Sequence, residues 1–294
     1  MNKKGLTLLG RFAAALRNAG LQPLLAFTRN TLDAVFQLFG FPPLTAKIDG
    51  VRLHGFLRHR SILEEFAGGS YESAARRVFR ELLPSADVLI DAGAHIGLYS
   101  VLGSRYGKPG LAVYAFEPDP YNRRAFRWNT TLNRCRNVNL FPGAVSDKNG
   151  MARLLVSDGT IGSSLILGRT KIGGTHFLEV DTYALDSVLK DVPVNSILAK
   201  VDIEGAEIQA LQGMAATLRR MQRIAVICEV NPEALAAGGR KPMDLVAVLR
   251  GAGLQVFFIS ESAGGLIPVA DSFDEKGNFL AIKNWTIPED RIRA

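Results

Sequence analysis

The chain has 294 residues, 47% hydrophobic and 21% charged, which excludes a disordered, collagen-like or disulfide-stapled protein and leaves room for one large α/β body plus an appendage. Its 35 Lys and Arg against 28 Asp and Glu give a formal charge of +7, an excess that favours an anionic neighbour but says nothing of fold. The two cysteines, Cys135 and Cys228, have no paired spacing, and the four histidines (His54, His59, His95, His176) follow no metal-ligand pattern, so neither a disulfide framework nor a zinc site is expected.

In the opening "MNKKGLTLLGRFAAALRNAG", Arg11 and Arg17 interrupt the apolar stretch before it makes a secretory h-region. No window reaches the roughly 18 uninterrupted apolar residues of a membrane span, so a cytoplasmic location is expected. Leu8, Phe12 and Leu16 share one helical face, and Leu32, Val35, Phe36 and Phe39 make a second stripe. Docking of these helices on the main domain is the first reading, and peripheral contact of residues 1–40 with an anionic membrane is the alternative. Residues 41–70 read as a β-rich connecting region with a hairpin turn at Asp49-Gly50. The division expected is therefore an extension over residues 1–69 and a main domain over 70–294.

Downstream, strand-length apolar runs at Val88–Ile90, Leu111–Phe116, Val138–Phe141, Ile197–Val201, Ile224–Val230, Leu254–Ile259 and Phe279–Ile282 alternate with helical patterns. Tyr121, Ala125, Trp128, Leu132 and Cys135 form one helical stripe, and Ile208, Leu211, Ala215 and Leu218 another. Such alternation indicates an α/β fold with a mostly parallel sheet covered on both faces. Residues 151–182 break the alternation and read as a β insertion, whose Gly162-Ser163-Ser164 forms either a lid or a plain hairpin loop.

In an open parallel sheet the ligand crevice lies beyond the carboxyl ends of the strands. The first core strand ends in Asp91-Ala92-Gly93-Ala94-His95-Ile96-Gly97, a G-x-x-x-G spacing that lacks the middle glycine of dinucleotide enzymes. The second ends in Glu117, an acid placed 26 residues after Asp91, where a carboxylate can accept from a ribose diol. Together they point to a nucleoside ligand, with a structural turn and a helix-terminal charge as the plain alternatives. Asp202 and Glu204 close the fourth strand, Lys200 shares a sheet face with Asp202, and Glu229 closes the fifth. A general base, if the chemistry needs one, would be drawn from these acids or from His95. A buried Lys200 requires a carboxylate partner, and Glu207 is free to pair with it or to cap. Mg²⁺ held by Asp202, Glu204 and Glu229 ranks below a metal-free site. Tyr71 and Glu72 suit capping and packing as well as substrate contact.

"VLIDAGAHIGLYS", "VYAFEPDP", "NVNLFPGAVSDKNG", "TYALDSVL", "AKVDIEGAEIQALQGM" and "AVICEV", in that order, resemble the FkbM family of S-adenosylmethionine-dependent methyltransferases over about residues 70–283. Lys200, Asp202, Glu204, Gly205 and Glu207 match each fixed position of that family's Lys-x-Asp-x-Glu-Gly-x-Glu motif, while His95 stands where many members carry asparagine. The resemblance implies a class I methyltransferase fold: a seven-stranded, mostly parallel, Rossmann-like sheet whose last strand is antiparallel. It implies methyl transfer from S-adenosylmethionine, typically to a hydroxyl of a sugar, glycan, polyketide or similar small molecule. Carried over, Asp91 and Gly93 line the methionine portion of the cofactor, Glu117 holds the ribose, Ser146 and Asp147 lie by the adenine, and Asn129 lies near the same pocket. Gly97 completes the cofactor turn by letting the next helix pack closely on the sheet. Asp202, Glu204 and His95 are the catalytic candidates, His95 more as an orienting group than as a base. An NAD-dependent oxidoreductase is disfavoured by the missing glycine, and a non-catalytic cofactor-binding or membrane-associated protein by the intact crevice acids. No nucleic-acid partner is expected, because no basic module is interleaved with aromatics.

Overall fold

The computed structural model describes residues 31–36, 38, 42–157, 175–193, 195–262 and 264–287. The stripe of Leu8, Phe12 and Leu16 and the Gly162-Ser163-Ser164 segment lie outside them.

Strands β1 (Leu44–Ile48) and β2 (Val51–Gly55) pair antiparallel about Asp49-Gly50, as the turn signal predicts. Their alternating sequence buries Leu44, Ala46, Ile48, Val51 and Leu53 on one face. The strand character stops there: residues 60–68, expected within a β-rich region, form helix α1 (Arg60–Gly68), which buries Ile62, Leu63 and Phe66 at helical spacing. Helix α2 (Ser73–Leu82) follows.

The central sheet then assembles from β3 (Val88–Ala92), β4 (Ala112–Phe116), β5 (Val138–Phe141), β9 (Ser196–Val201), β10 (Arg223–Val230), β11 (Gln255–Ser260), β12 (Gly265–Pro268) and β13 (Gly277–Lys283). Its order is β12-β11-β13-β10-β9-β3-β4-β5. Strands β10, β9, β3, β4 and β5 are parallel, and β13 runs antiparallel to both β10 and β11. This is the class I methyltransferase order with one strand more than the seven expected. The extra strand is β12, where the chain turns back after Ser260 and adds a short antiparallel edge too brief to register as a periodic run.

Successive residues of each central strand feed two separate cores. Leu89, Val113, Leu198 and Leu280 join the core beneath the hairpin, α1, α2 and α3 (Leu98–Tyr106). Ile90, Ile197, Val226 and Phe279 join the opposite core. There they meet Ile208 and Leu211 of α6 (Glu207–Gln212), Leu218 of α7 (Ala215–Arg220), Leu235 of α8 (Pro232–Ala237) and Leu245 of α9 (Pro242–Gly251). Strands buried on both faces explain the near-continuous apolar runs. The stripe read as one later helix is split by Gly213-Met214 into α6 and α7.

Helix α4 (Pro120–Leu132) departs further from its expected stripe. Tyr121, Trp128 and Leu132 are exposed, and the buried face is Asn122, Ala125, Phe126 and Asn129. Two of those four are polar, so apolar spacing alone selects the wrong side. The 31–36 helix differs in the same way: Leu32 and Val35 are exposed while Asp33 is buried, accepting from the backbone N–H groups of Leu57 (2.6 Å) and Arg58 (3.0 Å).

The insertion supplies β7 (Gly150–Ser157) and β8 (Thr175–Tyr183), which with the preceding β6 (Gly143–Val145) make a second, three-stranded sheet, β6-β8-β7, after which comes the short α5 (Leu185–Val188). Among the described residues no helix is long and apolar enough to cross a membrane.

Candidate active site

Strand order reverses around β3, which has β4 on one side and β9 on the other, and this is where open α/β sheets bind ligands. A partly open cavity occupies that place. Its floor is the carboxyl ends of the three strands and the turns that follow: Asp91, Gly93, Ala94 and His95 at β3, Phe116 and Glu117 at β4, Lys200, Asp202 and Glu204 at β9. Arg58, His59, Ile62 and Phe66 of the amino-terminal extension and Tyr71 just after it also line it, as do Ala144, Val145 and Leu154 of the small sheet.

The turn after β3 depends on two glycines in the left-handed region. At Gly93 (φ +83°) a Cβ would lie 1.9 Å from the Asp202 carbonyl oxygen, so its absence lets the β3 and β9 loops meet. At Gly97 (φ +95°) a Cβ would press on the Phe126 ring at 2.9 Å, so the close partner is α4 rather than the sheet. His95 also has positive φ (+49°), an uncommon conformation for a side-chain-bearing residue. The turn sends the His95 backbone N–H to Glu117 Oε2 at 2.8 Å.

Glu117 is buried and accepts two more hydrogen bonds on Oε1, from the Asp119 N–H (2.8 Å) and Asn122 Nδ2 (3.2 Å). An ionised carboxylate offers about four acceptor sites, so the open one is on Oε2. Burial raises the carboxyl to about 7 against the pull of these donors. Asp91 is likewise buried, raised by burial to about 6, and accepts from Ser100 Oγ at 2.5 Å. Burial lowers the His95 ring to about 4, so at neutral pH it is an uncharged imidazole, edge-on to His59 with ring centres 5.3 Å apart.

The opposite end of the cavity is organised by one cation. Lys200, fully buried, donates at 3.1 Å to each of Glu72 Oε1, Asp202 Oδ2 and Asn278 Oδ1, and its ammonium lies 5.3 Å from the Tyr99 ring centre. Burial opposes its charge, but the carboxylates of Asp202, Glu72 and Glu229 more than offset this and raise its pKa. Glu72 also accepts from Tyr99 Oη (2.7 Å) and Asn278 Nδ2 (2.8 Å). One carboxylate oxygen each from Asp202, Glu204 and Glu229 lies within 4.8 Å of the others. Burial pushes Asp202 up, yet Lys200 overrides it and holds Asp202 below its ordinary value; burial together with the Asp202 and Glu204 charges raises Glu229 to about 10. At neutral pH the pair therefore carries its charge on Asp202 and its proton on Glu229. Glu207 does not pair with Lys200: its Oε1 accepts from the N–H groups of Gly205 (2.9 Å) and Ile203 (3.2 Å), and it braces the Glu204 turn, where φ is +54°.

Asn129 stands apart from the cavity. Its Nδ2 donates to His54 O (2.9 Å) and Ile96 O (2.8 Å), and its Oδ1 accepts from His54 N–H (2.7 Å), which staples α4 to β2 and to the β3 turn. Ser146 and Asp147 follow directly on the lining residue Val145, with Ser146 Oγ 3.1 Å from Asp147 Oδ1. His59, Asn122 and Asn278 are polar parts of the site that sequence reasoning misses. Asn122, in the first turn of the helix that Asp119 caps, was the most accessible of them, since that turn faces back toward Glu117.

A family model described as the methyltransferase FkbM domain matches residues 91–256, from Asp91 into β11. The chain is 29% identical over 205 residues to the 31-O-demethyl-FK506 methyltransferase FkbM of Streptomyces tacrolimicus, covering 60% of this chain and 75% of that protein. It is 27% identical over 151 residues to Methyltransferase 1 of Beauveria bassiana, covering 45% of this chain and 59% of the relative's length. Among solved structures, M. jannaschii TYW2 in complex with AdoMet is a distant likeness, with a TM-score of 0.40 and 14% identity over 81% of this chain and 84% of that one. The family match takes in more than half of the residues and the floor of the cavity, and the chain belongs to the family of methyltransferases with an FkbM domain.

Proposed function

We propose that this protein transfers a methyl group from S-adenosylmethionine to a hydroxyl of a small molecule or glycan. The observation that carries the reading is the buried Glu117 at the end of β4, lining the cavity with an acceptor site open on Oε2. A ribose hydroxyl donating to Oε2 suits that site, and the apolar flank of Phe116, Ala144, Val145 and Leu154 suits an adenine ring. Asp91 and the Gly93 turn border the same space and would take the amino-acid end, with Ser146 and Asp147 at the adenine side. When bound, the cofactor supplies an electrophilic methyl on sulfur, open to in-line displacement.

The chain's own work is then positioning and proton management. Asp202 is ionised and faces the cavity, so it can accept the proton of an incoming hydroxyl. Glu204 borders the same space, and the neutral His95 ring is suited to orient the acceptor more than to take its proton. Arg58, Ile62, Phe66 and Tyr71 line the same space and add apolar and cationic surface for an acceptor. The name of the Streptomyces relative, which describes a 31-O-demethyl substrate, supports oxygen as the atom methylated.

Calorimetric titration tests the reading. The protein should bind S-adenosylmethionine and not NAD, and Glu117→Ala should weaken binding by about 10–100-fold, the worth of a hydrogen bond to a charged group. Binding of NAD alone, or an affinity untouched by Glu117→Ala, would overturn it. A screen of hydroxylated acceptors, read by mass for a methyl gain, then names the substrate.

A further inference from the structure

We infer that His59, contributed by the extension rather than by the matched domain, is a positioning residue for cofactor binding, acting through Asn122 on Glu117. The inference rests on the assignment of Glu117 to the ribose and extends it to a residue 58 positions upstream in the chain (117 − 59).

The chemistry of the contacts gives the relay a direction. His59 Nδ1 lies 3.0 Å from the Phe56 backbone nitrogen, which is a donor only. Nδ1 must therefore be the unprotonated nitrogen and Nε2 must carry the hydrogen. The low pKa imposed by burial agrees with a neutral ring. Nε2 is 3.0 Å from Asn122 Oδ1, and an N–H there can only be met by the amide oxygen. The Asn122 amide is thereby held with its NH₂ toward Glu117, to whose Oε1 it donates at 3.2 Å. A flipped amide would set its carbonyl against the carboxylate and an N–H against the His59 N–H, two repulsive contacts at once.

The two ends of this relay are buried, His59 to 2% exposure and Glu117 to 4%. A misdirected amide in such a place cannot be rescued by solvent. The ring of His59 also packs edge-on against His95, whose backbone N–H is the donor to Oε2. The neighbouring Arg58 ion-pairs with Asp119 at 3.2 Å, and the Asp119 N–H is the third donor to Glu117. Each of the three hydrogen bonds that hold Glu117 is thus backed by residue 58 or 59.

The test compares S-adenosylhomocysteine with its 2′,3′-dideoxyribose analogue by calorimetry on the full chain. A role through Glu117 acts on the ribose hydroxyls alone, so the ratio of the two affinities is the readout. His59→Leu should weaken S-adenosylhomocysteine about five- to tenfold and leave the dideoxy analogue within about twofold of its original affinity. His59→Gln, whose side chain can accept from Phe56 and donate to Asn122, should restore the ratio. Asn122→Leu, with His59 intact, should lower the ratio as His59→Leu does, and it decides the matter if His59→Leu does not fold. An equal loss for both ligands, or an unchanged ratio in the variants of a protein that does discriminate, overturns the role of His59 and leaves Glu117 standing. A wild-type protein with no preference for the hydroxylated ligand overturns both.

Discussion

The two ends of the cavity are built on opposite plans. Around Glu117 a single acid is met by three neutral N–H donors, each from a different residue. Around Lys200 a single cation is shared among Glu72, Asp202 and Asn278, with Glu229 and Glu204 close by. The first plan fixes where an acceptor oxygen points while leaving its charge adjustable. The second fixes charge, because a buried ammonium surrounded by carboxylates cannot be neutralised without stranding them. The first suits recognition of a neutral hydroxylated ligand, and the second suits keeping Asp202 ionised.

The largest way to break this contrast is to remove the cation. Lys200→Met should cost about 3–5 kcal/mol of unfolding free energy in urea titration, because Glu72 and Asp202 lose their common partner in a buried setting. A loss below about 1 kcal/mol would mean that solvent, rather than Lys200, satisfies those acids. Such a result would remove the distinction between the two ends.

A smaller effect tests whether burial sets the acid pKa values. Glu207 is raised by burial from 4.5 to about 7, so the native state holds a proton that the unfolded chain has released. Its contribution is fully present below pH 4.5 and is lost as pH rises through about 7. Asp91 and Glu117 act in the same direction. Glu207→Gln should therefore flatten, without abolishing, the fall in stability between pH 4.5 and about 7, by on the order of 1–3 kcal/mol. An unchanged slope in denaturation across that range would show that Glu207 titrates normally.

Smallest of all is the expected effect of His95→Asn. A ring held near pKa 4 is neutral through the working range, and its backbone N–H, which serves Glu117, survives the substitution. The rate should change by less than about threefold, with the acidic limb of the pH–rate profile in place. Loss of that limb would make His95 the base and leave Asp202 as a counter-ion to Lys200.

The strands were legible because double-sided burial writes them as apolar runs, and all seven runs form strands of the central sheet. The β3 turn and the acids after β9 were legible because small and charged residues stand out where an apolar strand stops. What escaped the sequence was polar burial. Asn122 and Asn129 occupy the inner face of α4 because His59 and His54, more than sixty positions earlier, supply their partners. A periodicity that counts apolar residues points instead to Tyr121, Trp128 and Leu132, on the solvent side. Glu72 was ambiguous for the same reason, since its partners Lys200 and Asn278 lie 128 and 206 positions away. Strands β6 and β12, of three and four residues, carry too little pattern to be seen.

The cavity's upstream lining has a consequence for how this protein can diversify. Arg58, His59, Ile62, Phe66 and Tyr71 lie upstream of residue 91, where the family match begins, whereas the strand ends that form the floor lie inside it. Floor and upstream lining are thus encoded in separate stretches of the chain. Substitutions at Ile62 and Phe66 of α1 can reshape the cavity without touching the Lys-x-Asp-x-Glu-Gly-x-Glu motif, whereas Arg58 and His59 stay tied to the floor through Asp119 and Asn122. Chains with the same Lys-x-Asp-x-Glu-Gly-x-Glu signature but unlike upstream segments are therefore expected to share chemistry and differ in what they accept.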